Sequence, residues 1–268
     1  MFSTLITMWQ YEFIRHAFVA GTIVAIVAGV VGYFVVLRRS SFAAHGLSHA
    51  GFTGAAGAVL IGWNPLLGML MFTSLGGVIM ATLGKKASSR DVEIGTVLAF
   101  MLGLGVLFIS LYTGYATEAY SLLFGEILGI SATSVWVTLV AGVLILLTVA
   151  LIYRPLLFTS LDEDVAEAKG LPIFGLGIIF MLLVAVATSI AVEVVGVLLI
   201  FALMVTPAAT AMRLARRPMQ GMVISVGIAL FATWLGLFIS YLVPYPVSFF
   251  ITAIVFTIYV LVRVFYKR

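Results

Sequence analysis

Long apolar runs separated by short polar stretches dominate the sequence. Each run holds about 20 residues, which at about 1.5 Å per residue crosses a hydrocarbon core of roughly 30 Å. Alternating strands of about 10 residues, the pattern of a membrane barrel, do not occur. The pattern therefore predicts an all-α, polytopic transmembrane bundle of about nine membrane segments. These are residues 13–37, 43–62, 64–83, 92–114, 131–153, 172–192, 194–212, 219–242 and 246–265.

One stretch leaves the number of crossings open. Residues 172–212 are almost uninterrupted by polar side chains, and we divide them at Glu193. If part of this stretch is re-entrant, eight crossings remain and one terminus changes side. Elsewhere the borders are marked, because Trp63-Asn64-Pro65 and Pro244-Tyr245-Pro246 predict tight turns with helix-breaking prolines. We expect a single transmembrane domain over 1–268.

Composition and charge support a multi-pass membrane protein. The chain is 63% hydrophobic and 9% charged, against about 25% charged residues in soluble domains. With the N-terminus outside and the C-terminus in the cytoplasm, 13 of the 14 basic residues fall inside, and only Arg15 falls outside. The net charge of +4 reflects this distribution and does not indicate nucleic-acid binding. Without cysteine there are no disulfides and no thiolate metal ligands.

Two histidines lie near the inner start of the second segment. His45 and His49 are four residues apart, so on a helix they share one face. Neutral imidazole binds zinc, copper, iron and nickel, and such a pair supplies two ligands. The small residues that follow predict a surface that another helix can approach closely. The alternative is that the histidines only pack and bond to backbone, which is our interpretation of His16.

A short acidic helix is predicted between the fifth and sixth segments, within about 160–171. Ser160 is placed to cap its start, with Glu163 at the capping-box position, while Gly170 and Pro172 end it. A capped acidic helix on a basic inner face is typical of a docking element for a soluble partner, although a solvated connector is an alternative. Its acidic residues are Asp162, Glu163, Asp164 and Glu167.

Three further features lie in or beside the segments. Pro207, preceded by Thr206, falls inside a segment, where proline frees a carbonyl and kinks a helix. A kinked helix suits a moving gate, the alternative being simple tight packing. Glu193 is an ionisable group in an apolar stretch and hence a weak candidate for a metal ligand, the alternative being a marker of the turn. The apolar loop Tyr115–Ser131 predicts a short helix in the outer interface.

The chain has no nucleotide-binding loop, so any ATP-driven process requires another subunit. A secondary transporter or channel acting alone remains an alternative, although it would need buried ionisable groups, and these are few here. The small number of histidines and the absence of an H-E-x-x-H helix disfavour a third hypothesis, an intramembrane metalloenzyme.

Four elements together resemble a known family. They are LRRSSFAAHGLSHAGFTGAAGAVLIG after the first segment, SLLFGEILGIS in the outer region, LDEDVAEAKGLP on the inner side, and VGVLLIFALMVTPAATA. In this order, and over nearly the whole chain, they are similar to the integral membrane permeases of ABC importers for zinc, manganese or iron. The resemblance implies a homodimer in the lipid of a prokaryotic cell membrane, an ATPase subunit at the cytoplasmic face and an extracytoplasmic metal-binding protein.

The resemblance also implies roles for particular residues. The segment Asp162–Gly170 matches the coupling helix that contacts the ATPase, and His49 matches a histidine on the path of the ion. The family usually carries an aspartate where this chain has His45. Because imidazole is a softer ligand than carboxylate, this difference favours zinc over manganese. We therefore expect the permease of an ATP-driven importer of divalent metal, with zinc as the transported ion and manganese or iron as alternatives. No tightly bound cofactor is expected.

Overall fold

Helices joined by short connections make up the computed structural model. It describes residues 9–83, 90–111, 127, 129–243 and 245–266, and of Arg90 it describes the backbone alone. Most of the loop 115–131 lies outside these ranges. The described residues form nine long helices and one short helix. In chain order they are α1 Glu12–Leu37, α2 Ser41–Leu60, α3 Pro65–Leu83, α4 Arg90–Leu111, α5 Ala132–Leu161, α6 Glu163–Ala168, α7 Ile173–Val195, α8 Val197–Leu214, α9 Pro218–Leu242 and α10 Val247–Phe265.

The nine long helices follow the nine predicted segments in order, which confirms the all-α polytopic fold. Eight of them are long and apolar enough to cross a membrane by length and composition. The other is α2, which has 20 residues but is less apolar. Its histidines, glycines and hydroxyl side chains lower its hydropathy. The helix that departs most from a simple membrane anchor is thus the one that carries the histidine pair.

The border between α7 and α8 differs from the prediction. It lies at Gly196, whose φ is +82°, and not at Glu193. A left-handed backbone favours glycine because a Cβ would be strained there. The Gly196 amide donates to the carbonyl of Val192 at 2.9 Å and closes the last turn of α7. Both helices are among the eight candidate spans, so the division into two segments is retained.

The fifth segment is longer than predicted. We expected it to end near residue 153, but α5 continues through Pro155 to Leu161. Its 30 residues correspond to about 45 Å, which exceeds a hydrocarbon core of roughly 30 Å. The helix is therefore longer than a hydrocarbon core is thick, and one residue, Asp162, separates it from α6.

Two helices form the centre of the bundle. In α7 and α1, 72% and 67% of the most apolar stretch is buried, against 17% in α10. α1 packs against α5, α7, α8 and α9, and α7 packs against α1, α2, α3 and α5. The helices α2, α3 and α4 form one flank, and α8, α9 and α10 form the other. α2 also reaches across to α8, so the two flanks meet at the histidine helix.

The bundle has two distinct ends. At the first, which we call the Glu12 end, Nδ1 of His16 lies 3.2 Å from the carbonyl oxygen of Ile130. At the opposite end, which we call the α6 end, α1 finishes and its C-cap residue Arg38 reaches the last turn of α5. His16 thus bonds to backbone, as predicted.

Candidate functional site

The histidine pair lies where α2 meets α8. The ring centroids of His45 and His49 are 4.7 Å apart with the rings almost perpendicular. The ring of His45 also contacts that of Phe201 on α8, at 4.8 Å between centroids. Nδ1 of His45 is buried and has no hydrogen-bond partner among the described residues. Since buried polar atoms are nearly always bonded, this nitrogen is available to a ligand.

Small residues allow α2 to sit this deep in the bundle. Gly46, between the two histidines, faces Met80 and Ile94, and a Cβ there would lie 2.8 Å from the Met80 methyl group. One turn beyond the pair, the Thr53 hydroxyl is 2.7 Å from the carbonyl oxygen of Met101 on α4. The predicted close-packing surface of α2 is therefore present, and it fixes the helix that carries the imidazoles.

The pair offers at most two protein ligands in this conformation. Among the described residues, no three His, Cys, Asp or Glu side chains come together as a metal-binding group. Any further ligands would be water, backbone carbonyls or groups that approach in another conformation. Weak, incomplete coordination suits a path, because a complete cage would hold the ion and slow its release.

Glu193 is not brought into a common ligand group with the histidines. It lies in the last turn of α7, near Ser134 at the start of α5, and so at the Glu12 end of the bundle. Its Oε2 atom is buried and has no hydrogen-bond partner among the described residues. Because Gly196 makes the turn, Glu193 is not its marker, and its role as a weak metal candidate stays a prediction.

The proline predicted to kink a segment lies inside α8. Pro207 is buried and cannot donate a hydrogen bond to the carbonyl of Leu203. One turn on, the hydroxyl of Thr210 donates to the carbonyl oxygen of Thr206 at 2.8 Å. Phe201, which contacts His45, lies on the same helix. A change of bend in α8 would therefore move a ring that touches the histidine pair.

The short acidic helix is present, but its cap differs from the prediction. Asp162, not Ser160, is the N-cap, and its side chain accepts a hydrogen bond from the amide of Val165 at 3.0 Å. Ser160 lies in the last turn of α5, where its hydroxyl bonds to the carbonyl of Leu156. The prediction failed because α5 runs two turns past Arg154, which moves the start of α6 along the chain.

The end of α6 is as predicted. Gly170 has φ +74°, and its amide donates to the carbonyl of Glu167 at 2.8 Å. The amide of Leu171 donates to the carbonyl of Ala166 at 3.1 Å. Together these two bonds form a Schellman motif with glycine in the left-handed position. The packed face of α6 is Ala166, which is fully buried.

A cavity of about 840 Å³ lies beside α6. Its lining includes Glu163, Asp164 and Glu167 of α6, together with Arg38 and Ser40 from the junction of α1 and α2. Part of the acidic surface of α6 thus faces this cavity. Sequence reasoning did not identify Arg38 or Phe201 individually. Arg38 stands in a visible two-arginine border, whereas nothing in the sequence pairs Phe201 with His45.

Comparisons with known proteins agree with this architecture. Residues 10–266 match the ABC 3 transport family. The manganese import system permease protein ScaB of Streptococcus parasanguinis is 33% identical over 233 residues, which cover 87% of this chain and 83% of that protein. The manganese transport system membrane protein MntC of Listeria monocytogenes is 31% identical over 236 residues, covering 88% and 84%.

A solved structure is also similar. PsaBC from Streptococcus pneumoniae in complex with Fab superposes with a TM-score of 0.86 at 30% identity, over 97% of this chain and 94% of that one. The family match spans almost the whole chain and therefore covers the histidine helix, α6 and α8 together. The resemblance to metal-ion ABC permeases is confirmed: this multi-pass membrane protein belongs to the ABC 3 transport family.

Proposed function

We propose that this chain is the membrane permease of an ATP-driven importer of divalent transition-metal ions, and that the ion passes His45 and His49. The observation that carries the proposal is the His45 ring, whose buried Nδ1 has no hydrogen-bond partner among the described residues. The ring stands edge-on to a second imidazole on the same helix. Family membership makes a transporter or channel acting alone the weaker alternative.

Ligand chemistry and the names of relatives favour different metals. Two imidazoles prefer zinc to manganese, because affinity for nitrogen ligands rises along the series from manganese to copper and stays high at zinc. The relatives ScaB and MntC are named as manganese transporters. We propose zinc on the basis of His45, where the family usually carries a carboxylate. Manganese is the second candidate, and iron a third.

The proposed assembly combines a permease dimer with an ATPase and a metal-binding protein. Two copies of the permease lie in membrane lipid, an ATPase binds the α6 end in the cytoplasm, and an extracytoplasmic metal-binding protein binds the Glu12 end. The basic residues support this orientation, since they fall on the cytoplasmic side when α1 begins outside. The capped acidic helix α6, within 160–171, is the proposed coupling element through Asp162, Glu163, Asp164, Glu167 and Gly170.

ATP binding and hydrolysis would then shift the bundle between two packings. We propose that α8 takes part through Thr206 and Pro207. A helix with a missing internal hydrogen bond bends at lower energy than an intact one, and α8 carries the ring that contacts His45.

The test is uptake by the complete complex in proteoliposomes, supplied separately with zinc, manganese and iron. Wild type should take up zinc in preference to manganese. His45→Asp restores the carboxylate of the family pattern and should shift the preference toward manganese by about tenfold, as expected for exchanging a nitrogen for an oxygen ligand. His49→Ala should reduce uptake of every metal more than it reduces the amount of folded protein.

His16→Ala is the matched control, because His16 bonds to backbone at the other end of the bundle. Its uptake and metal preference should equal those of wild type. Preference of wild type for manganese would contradict zinc and leave the importer intact. Equal losses of uptake and folded protein in His49→Ala would indicate that the pair only packs.

A further inference from the structure

We infer that Arg38 transmits movement of the α5–α6 segment to the helix that carries His45 and His49. This makes it a positioning residue of the transport cycle. The inference rests on the proposed function, in which the ATPase acts on α6. It requires that Arg38 touch the moving segment and be rigidly joined to α2.

The guanidinium of Arg38 joins three helices. Its Nη1 atom donates to the hydroxyl of Thr159 at 3.1 Å and to that of Ser160 at 3.4 Å, both in the last turn of α5. The guanidinium carbon also lies 5.1 Å from the centre of the Phe180 ring on α7. Arg38 itself is the C-cap residue of α1. One side chain therefore ties the end of α1 to α5 and α7.

A rigid turn connects Arg38 to the histidine helix. The amide of Arg39 donates to the carbonyl of Val36 at 3.1 Å. The amide of the buried Ser40 donates to the carbonyl of Val35 at 2.8 Å. Arg39 holds the left-handed backbone, φ +54°, that this Schellman arrangement needs. α2 begins at Ser41, directly after Ser40. Displacing Arg38 therefore displaces the first turn of α2, one turn before His45.

The other side of the link is equally short. Thr159 and Ser160 are separated from α6 only by Leu161 and Asp162. Asp162 caps α6 through its side chain, and its amide bonds to the carbonyl of Phe158 in α5 at 3.2 Å. A push on α6 therefore reaches the two hydroxyls that Arg38 holds. Arg38 and the acidic residues of α6 also line the same cavity.

Arginine suits this position better than other cations. Its planar group can stack on Phe180 while its fork of N–H groups donates to two neighbouring hydroxyls. Lysine keeps the charge but has a compact ammonium that cannot do both. The neighbouring Arg39 is exposed. Arg39 therefore offers a matched control, with the same charge in the same loop.

The experiment uses the complete complex in proteoliposomes, with zinc-loaded or manganese-loaded binding protein, whichever wild type transports. Metal taken up per ATP hydrolysed is measured together with basal ATPase activity and the amount of folded complex. Arg38→Gln should lower uptake per ATP by about fivefold while basal ATPase stays within about twofold of wild type. Arg38→Lys should give an uptake per ATP between those of wild type and Arg38→Gln. Arg39→Asn, which removes a charge and tolerates left-handed backbone, should resemble wild type.

A second variant removes the acceptors and leaves Arg38 in place. Thr159→Val combined with Ser160→Ala should reproduce the loss, and adding Arg38→Gln should cause little further loss, because all three changes break one link. Three results would overturn the inference. They are an Arg38→Gln complex that equals Arg39→Asn, a loss that only parallels folded yield and basal activity, or a wild-type result for the acceptor variant. Failure of wild type to take up any metal would instead overturn the proposed function, and this inference with it.

Discussion

Gly54 and Gly68 are the residues that set the spacing between α2 and α3. A Cβ at Gly54 would collide with the backbone carbonyl of Gly68, and one at Gly68 would collide with that of Gly54. In a membrane, helix association depends on close packing because lipid tails are as apolar as the side chains. Because these glycines have no side chain, the histidine helix can pack closely against α3.

Gly54→Ala should destabilise the protein, because the added methyl group meets backbone that cannot rotate away. Overpacking of this kind costs about 1–3 kcal/mol. The measurement is the midpoint of thermal unfolding in detergent. Gly103→Ala on α4 is the matched control, since a Cβ there has no neighbour within 4 Å. It should leave the midpoint unchanged or raise it slightly, because alanine is the better helix former. A midpoint for Gly54→Ala equal to that of Gly103→Ala would contradict the tight contact.

Other contacts between helices join residues that are far apart in sequence. The contact of His45 with Phe201 crosses from one flank of the bundle to the other, and Thr73 and Ser189 share a buried hydrogen bond of 2.7 Å between α3 and α7. Neither pair is close in sequence. Such contacts place the imidazoles, and they were not predictable from spacing.

At the scale of elements, α6 combines fixed ends with an exposed acidic surface. Its start is fixed by Asp162, its end by Gly170 and its packed face by Ala166. The remaining acidic side chains line the cavity or face outward. A helix of six residues is not stable alone, so its shape depends on these caps and on α5 and α7.

Asp164→Lys combined with Glu167→Lys should uncouple ATP hydrolysis from uptake. The change reverses the charge that α6 presents but touches neither its caps nor Ala166, so the helix should persist. We expect uptake per ATP to fall by about tenfold, the effect of about 1.4 kcal/mol of lost coupling. The measurement is uptake and ATPase activity in the same proteoliposomes.

The neutral pair Asp164→Asn and Glu167→Gln serves as the control for that experiment. It removes the negative charge without introducing positive charge. Its uptake per ATP should lie between those of wild type and the lysine variant. Coupled transport at the wild-type level in the lysine variant would remove α6 from the coupling pathway.

At the scale of the whole molecule, nine long helices lie between Glu12 and Phe265 in the part of the chain that the structure describes. The described chain begins at the Glu12 end, and eight of its long helices are candidate membrane spans by length and composition. The nine crossings that the sequence predicts would bring α10 to finish at the α6 end. The distribution of basic residues predicts that the α6 end is cytoplasmic. Every proposal about partners depends on this orientation.

Cysteine labelling tests the orientation directly, because the wild-type chain has no cysteine and so no background. Gln10 and Tyr266 are exposed at opposite ends of the chain. In intact cells, Gln10→Cys should react with a maleimide that cannot cross the membrane. Tyr266→Cys should react only after the cells are opened. The reverse labelling pattern would show that the protein has the opposite orientation in the membrane. Labelling of both variants in intact cells would contradict an odd number of crossings.

Much of the fold was predictable because the bilayer imposes simple rules on sequence. Length and apolarity identified nine segments in order, and Gly170 was recognised as the end of the acidic helix. The errors concern places where polar and apolar signals conflict. Glu193 was taken as the border of two helices when Gly196 makes the turn, and the fifth segment was expected to end near residue 153, although α5 continues to Leu161.

The sequence by itself determined the class of protein, the order of its helices and the two imidazoles on one helical face. These follow from hydrophobicity, charge and helical period, which act between neighbours along the chain. Only the tertiary structure decided that His45 meets Phe201, that Arg38 joins α5 and α7, and that α6 and Arg38 line one cavity. Contacts of this kind depend on which helix faces pack together. In this chain the helices are apolar on most sides, so small residues and shape, rather than amphipathic pattern, choose those faces.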